Sequence, residues 1–170
     1  MTITLSPITT DEDLQAVAAM ASEIWHEYWP IILSEEQIDY MVDLLQSYEP
    51  IVHDVRQKHY RYWFIVDKTG RRVGYTAAQA QEETQRLFIS KIYLYKEERG
   101  KHYASQVLSF YEDLGQREGW QALYLTVNKQ NELGCRAYEG RGFTTIDSVE
   151  TDIGHGFIMD DFIMEKRLEG

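Results

Sequence analysis

Apolar positions change their period along the chain, and the change marks out the elements. Between residues 11 and 28, Leu14, Val17, Ala18, Ala21 and Trp25 recur at three- and four-residue steps, which predicts one helix stopped by Pro30. Thr10 supplies a capping hydroxyl, and Asp11, Glu12 and Asp13 place acids in the first turn. Ser34-Glu35-Glu36-Gln37 fits a capping box and opens a second helix with Ile38, Met41, Leu44 and Leu45 inward. "PIVHDVRQKH" predicts a short third helix, and "TITLSPI", ahead of all three, a short strand broken by Pro7.

From Tyr60 the period falls to two. "YRYWFIV" and "RVGYTAAQA" flank the turn "DKTGR" and predict an antiparallel hairpin, with "LFISKIYLY" as a third, more apolar strand. A helix from about Gly100 to Glu118 follows, then the strand "WQALYLTV" and the helix "NELGCRAYEGRG", ending near Gly142. "FTTIDSVETD" and "GFIMDDFIMEKRL" predict a closing hairpin. The order β, helices, βββ, α, β, α, ββ implies a mixed α/β fold around one largely antiparallel sheet. No repeat or low-complexity linker divides it, so residues 1–170 are expected to form a single domain.

Composition narrows the function classes. Of the 170 residues 44% are hydrophobic and 13% aromatic, which suits a globular chain. A net charge of −11 argues against broad binding to nucleic acid or anionic membranes. No apolar run is long enough to span a bilayer, and the N-terminal stretch lacks signal-peptide features. Cys135 is the one cysteine, so no internal disulfide can form, which fits a reducing cytoplasm. The five histidines show no metal-ligand spacing, and no metal is expected.

The chemistry concentrates in "KEERGKHYAS", a basic, glycine-bearing turn between a strand and a helix. The first turn of a helix offers unpaired N–H groups and a partial positive charge, a ready place for phosphate. Gly100-Lys101 is followed by His102 and has no earlier glycine in register, so a Walker NTPase loop is excluded; the three-glycine dinucleotide fingerprint is absent too.

The run Ile92-Tyr93-Leu94-Tyr95-Lys96-Glu97-Glu98-Arg99-Gly100-Lys101-His102-Tyr103-Ala104 resembles motif A of the Gcn5-related N-acetyltransferase (GNAT) family, "LYVxPxxRGxGxG/A". A second tract, "NxxAxxxYxxxGF", is matched by Asn131, Gly134 in place of alanine, Tyr138, Gly142 and Phe143. By motif the resemblance covers about half the chain, and by layout nearly all of it. It implies a single acetyltransferase domain with splayed central strands that holds acetyl-CoA. Pyrophosphate would rest on the amides from Arg99 through Gly100, Lys101, His102, Tyr103 and Ala104 to Ser105, with Arg99 as an exposed helix-start charge. Asn131 would cap its helix, contact the cofactor, or both. An amide near Tyr93 or Leu94 would polarise the thioester carbonyl, and Tyr138 would protonate the departing thiolate.

His102 stands where the family most often has glycine, on a backbone expected to be helical and so tolerant of a β-carbon. Trp25, Tyr28 and Trp29 are either packing residues or an aromatic wall for the acceptor amine. Asp160-Asp161 is a pair able to approach an amine, although alternation makes one of them simply the exposed face of a strand, and no catalytic base is assigned. The expected reaction is acetyl transfer to a small primary amine or polyamine by a monomer or homodimer. A non-catalytic acyl-CoA-binding regulatory module is the alternative.

Overall fold

The computed structural model describes residues 2–28, 34–154 and 156–168. Trp29 lies outside them, and of Tyr28 only the backbone is described. The elements follow the expected order: β1 (Ile3–Ile8), α1 (Asp11–Tyr28), α2 (Glu35–Met41), a π-helical turn (Val42–Gln46), α3 (Tyr48–Gln57), β2 (Tyr60–Asp67), β3 (Arg72–Gln81) and β4 (Arg86–Leu94). A 3-10 turn (Lys96–Glu98), α4 (Tyr103–Glu118), β5 (Ala122–Asn128), α5 (Glu132–Gly140), β6 (Thr144–Gly154) and β7 (Phe157–Arg167) complete the chain. The strands form a seven-stranded sheet in the order β1-β2-β3-β4-β5-β7-β6, mostly antiparallel. Contacts divide the chain into two compact units, Met1–Gln79 with Lys91–Val107, and Ala80–Ser90 with Leu108–Gly170.

In the first unit, the apolar stripe of α1 packs as its spacing dictates. Leu14, Val17, Ala21 and Ile24 join Ile51 of α3 and Tyr62, Phe64, Tyr75 and Ala77 of the sheet in one buried cluster. Each such side chain contributes about 1.5–3 kcal/mol on burial, which fixes α1 against β2 and β3. Thr10 caps the helix, its Oγ1 accepting from the Asp13 amide at 3.1 Å.

Two expectations need correction here. β1 is not broken by Pro7: it pairs with β2 through Pro7↔Trp63 to Ile8↔Tyr62. As an edge strand, it can carry a residue without an N–H. The second helix does not keep its register either, because the backbone widens into a π turn after Met41. The extra residue rotates the following side chains, leaving Leu44 42% exposed and turning Gln46 inward. Gln46 accepts from the buried Tyr75 hydroxyl at 3.0 Å.

In the second unit β7 lies between β5 and β6. Gly115 of α4 sits where a β-carbon would come within 2.5 Å of Leu168 Cδ1, so a glycine is needed for this approach. Glu112 of α4 accepts from Lys166 Nζ at 2.8 Å and from Arg141 Nη2 at 2.9 Å, tying α4 to β7 and to the end of α5.

Candidate functional site

The turn entering α4 is built by two left-handed residues. Gly100 has φ +80°, with nothing within 4 Å of where its β-carbon would be. His102 has φ +65°. The expected helical backbone at His102 is therefore wrong: α4 begins at Tyr103, and residue 102 closes the loop before it. A glycine enters that region freely, whereas an L side chain there is strained. The first amide at the start of α4 to find a carbonyl among the described residues is that of Gln106, on His102 O at 3.3 Å. The amides from Gly100 to Ser105 find no carbonyl among the described residues.

The two cations of this basic turn, Arg99 and Lys101, are not both free charges. Arg99 is not a fully exposed charge, since its Nε and Nη2 are shielded from water. Lys101 donates to Glu98 Oε2 at 2.9 Å, and Arg71 from the β2–β3 hairpin donates to Glu98 Oε1 at 3.0 Å and to Glu97 Oε1 at 2.8 Å. Glu98 is 3% exposed. The hydrogen bond to Glu98 raises the Lys101 ammonium above its ordinary range. Glu98 had no distinguishing mark in the sequence, because its partner Arg71 is 27 residues away.

Before the turn, β4 presents Tyr93, whose ring lies 5.5 Å from Trp25 and 5.5 Å from Tyr75. Trp25 is buried, so within this unit it packs α1 onto the sheet. Leu94 is buried too, and the carbonyl of Tyr93 lies so near Gly74 that a β-carbon there would meet it at 2.1 Å. Acids of α1 reach the end of β4: Glu23 accepts from the Tyr95 hydroxyl at 3.1 Å, and Glu27 from the Lys96 amide at 3.0 Å. Lys91, two residues before Tyr93, is buried, with its ammonium donating to the Tyr62 hydroxyl and to Leu45 O. Desolvation lowers it to about 8.

In the second unit, Asn131 caps α5, its Oδ1 accepting from Gly134 N at 3.1 Å. A β-carbon at Gly134 would lie 2.6 Å from Asn131 Nδ2, which accounts for glycine where the family tract has alanine. Tyr138 follows one helical turn later, its ring edge-on to Phe143 at 5.9 Å. Cys135 is half-buried, and burial pushes its thiol up, away from nucleophilic character. The parallel pairing of β4 with β5 runs from Arg86↔Ala122 to Phe88↔Tyr124, while β5 continues to Asn128. Beyond Tyr124, β5 still pairs on its other side with β7, ending at Asn128↔Asp161. Asp161 is buried and its neighbour Asp160 is about half-exposed, so alternation divides the pair as expected. Among the described residues no His/Cys/Asp/Glu group fit for a metal is found, and no helix is long and apolar enough to cross a membrane.

Comparison with known proteins gives the class to which this fold belongs. The family model described as "Acetyltransferase (GNAT) family" matches residues 15–143. The chain belongs to that family, whose members are acetyl-CoA-dependent N-acetyltransferases. Among solved structures it is similar to the PaiA N-acetyltransferase of Thermoplasma acidophilum in complex with coenzyme A: TM-score 0.78, 24% identity, 98% of this chain and 99% of that one. It is also similar to a GCN5-related N-acetyltransferase from Rhodopseudomonas palustris: TM-score 0.76, 17% identity, 99% and 97% covered. A third is the spermidine/spermine N-acetyltransferase SpeG of Vibrio cholerae: TM-score 0.68, 16% identity, 98% and 92% covered. At these identities the structures establish the fold. Among curated proteins, none matches the sequence.

Proposed function

We propose that this enzyme moves the acetyl group of acetyl-CoA directly onto a primary amine of a small molecule, with polyamines the favoured class. The observation that carries the reading is the turn from Arg99 to Ser105. Its two left-handed residues precede a helix whose first amides lack carbonyl partners, an arrangement that fits a pyrophosphate. Acetyl-CoA supplies the activated acetyl thioester. Gly100, Lys101, His102, Tyr103, Ala104 and Ser105 hold its phosphates by backbone N–H groups, with Arg99 alongside. The amide of Tyr93 or Leu94 donates to the thioester oxygen, Asn131 adds a cofactor contact to its capping role, and Tyr138 gives a proton to the leaving sulfur.

With Trp25 buried as a packing residue, Tyr28 and Trp29 are the candidates for the acceptor wall in this reading. The carboxylates of Glu23 and Glu27 on the same helix, with a net charge of −11, favour a cationic amine. SpeG, a spermidine/spermine N-acetyltransferase of similar fold, supports a polyamine. Thiol release from acetyl-CoA against spermidine, spermine, simple aliphatic amines and amino acids tests this. Turnover is expected with at least one polyamine; coenzyme A binding without thiol release from any amine would leave a non-catalytic acyl-CoA-binding module.

A further inference from the structure

Asp161 is a carboxylate that the fold holds at a cost. It lies mid-strand on β7, opposite Asn128 of β5 and Val149 of β6, and is 8% exposed. Among the described residues its side chain makes no hydrogen bond and no ion pair. A buried carboxylate without partners is expensive, and packing alone would be served better by an apolar residue. Its neighbour Asp160 does have a partner, Lys129 Nζ at 2.7 Å, and faces Glu150 across the β6 pairing.

Alternation along β5 sets the direction in which Asp161 points. Leu123 faces α4, beneath Gly115, and its pairing partner Lys166 reaches Glu112. Asn128, an odd number of residues from Leu123, belongs to the opposite face with Tyr124 and Thr126. Asp161 shares that face with Ile163 and Glu165. α4 and α5, which carries Tyr138, cover the other face. The stretch of β5 beyond Tyr124, where the pairing with β4 has ended, thus lies beside a buried carboxylate on the face away from α4.

We propose that Asp161 is the general base of the reaction, taking the proton of the acceptor ammonium. This rests on the acetyltransfer reading above. The ammonium loses one proton to the Asp161 carboxylate, which returns it to solvent. The freed amine forms the new C–N bond as the C–S bond breaks. The sulfur takes a proton from Tyr138, and the second nitrogen proton refills the phenolate. The products are the acetylated amine, coenzyme A thiol and one solvent proton. The carboxyl is raised to about 6 by burial first and by Asp160 second, with Lys129 opposing, so at neutral pH it is ionised and ready to accept. Among the described residues, the charged groups acting on it are Asp160 and Lys129.

The test is the pH profile of kcat/KM for Asp161→Asn with acetyl-CoA and the fastest amine of the panel. Wild type is expected to lose activity as pH falls through about 6. The variant should be at least about a hundredfold slower at pH 7, lack that limb, and recover toward about pH 9.5 as free amine accumulates. Its coenzyme A affinity by calorimetry should be unchanged, and Asp161→Glu should regain part of the rate. An Asp161→Asn enzyme within threefold of wild type, with the acidic limb intact, would overturn the assignment. Wild-type protein that binds coenzyme A but acetylates no amine would overturn the acetyltransfer reading itself, and this one with it.

Discussion

Lys101 reaches back three residues to Glu98, Nζ to Oε2 at 2.9 Å, and Arg71 meets the other oxygen of the same buried carboxylate at 3.0 Å. The cation that looked free to serve a phosphate is already committed to an acid. Lys101→Met is therefore expected to lower coenzyme A affinity less than fivefold, while Arg99→Glu lowers it more than tenfold. Calorimetric titration with coenzyme A decides, and a tenfold loss for Lys101→Met would put the ammonium on the phosphate. Glu98→Gln should cost about 1–2 kcal/mol of stability by weakening two charged hydrogen bonds at a buried site, read from denaturant unfolding.

His102 carries a side chain where φ is +65°. A left-handed conformation costs an L residue roughly 1–2 kcal/mol, and glycine returns part of that gain as unfolded-state entropy. His102→Gly should stabilise the protein by roughly 1 kcal/mol and raise Tm by several degrees, with coenzyme A binding kept or tightened. A lower Tm would mean that the imidazole makes contacts worth more than the strain.

The element order and both motif tracts were legible because they depend on local periodicity and short spacings. α1 follows directly from the Leu14–Trp25 stripe, and Asn131 from its capping position. The left-handed backbone of His102 was hidden because no local rule places an imidazole there; only the family's glycine hinted at it. The π turn that exposes Leu44 was illegible because a helical stripe continues through it on paper. Glu98 is held by Arg71, far along the chain, and Asp161 is enclosed by the strands on either side of it; distant packing leaves no periodic trace.

Tyr138 packs edge-on against Phe143, a contact that phenylalanine at the same position keeps. Tyr138→Phe thus removes a hydroxyl and little else. If that hydroxyl protonates the leaving sulfur, single-turnover acetyl transfer should slow by about a hundredfold or more with coenzyme A affinity preserved. Single-turnover measurement avoids masking by slow product release. Wild-type rates in the variant would take Tyr138 out of the mechanism.

Lys91 offers a stability test away from the proposed chemistry. Its ammonium is buried against the Tyr62 hydroxyl and Leu45 O, with the charge of Asp54 acting from farther off, and desolvation lowers it from 10.5 to about 8. Between those values the unfolded chain holds a proton that the folded chain has released. Stability should therefore rise as pH climbs from about 8 to 10.5, and below about 8 the full penalty of a buried charge applies. A shift of this size corresponds to roughly 3 kcal/mol, from which about 1 is subtracted for the hydrogen bonding lost on substitution. Lys91→Met should thus be about 2 kcal/mol more stable than wild type at pH 7, and the curves should cross before about pH 10.5, leaving wild type about 1 kcal/mol ahead at higher pH. Denaturant unfolding at several pH values checks both. A less stable variant at pH 7, with no change in slope above pH 8, would show that Lys91 is held by interactions stronger than its desolvation cost.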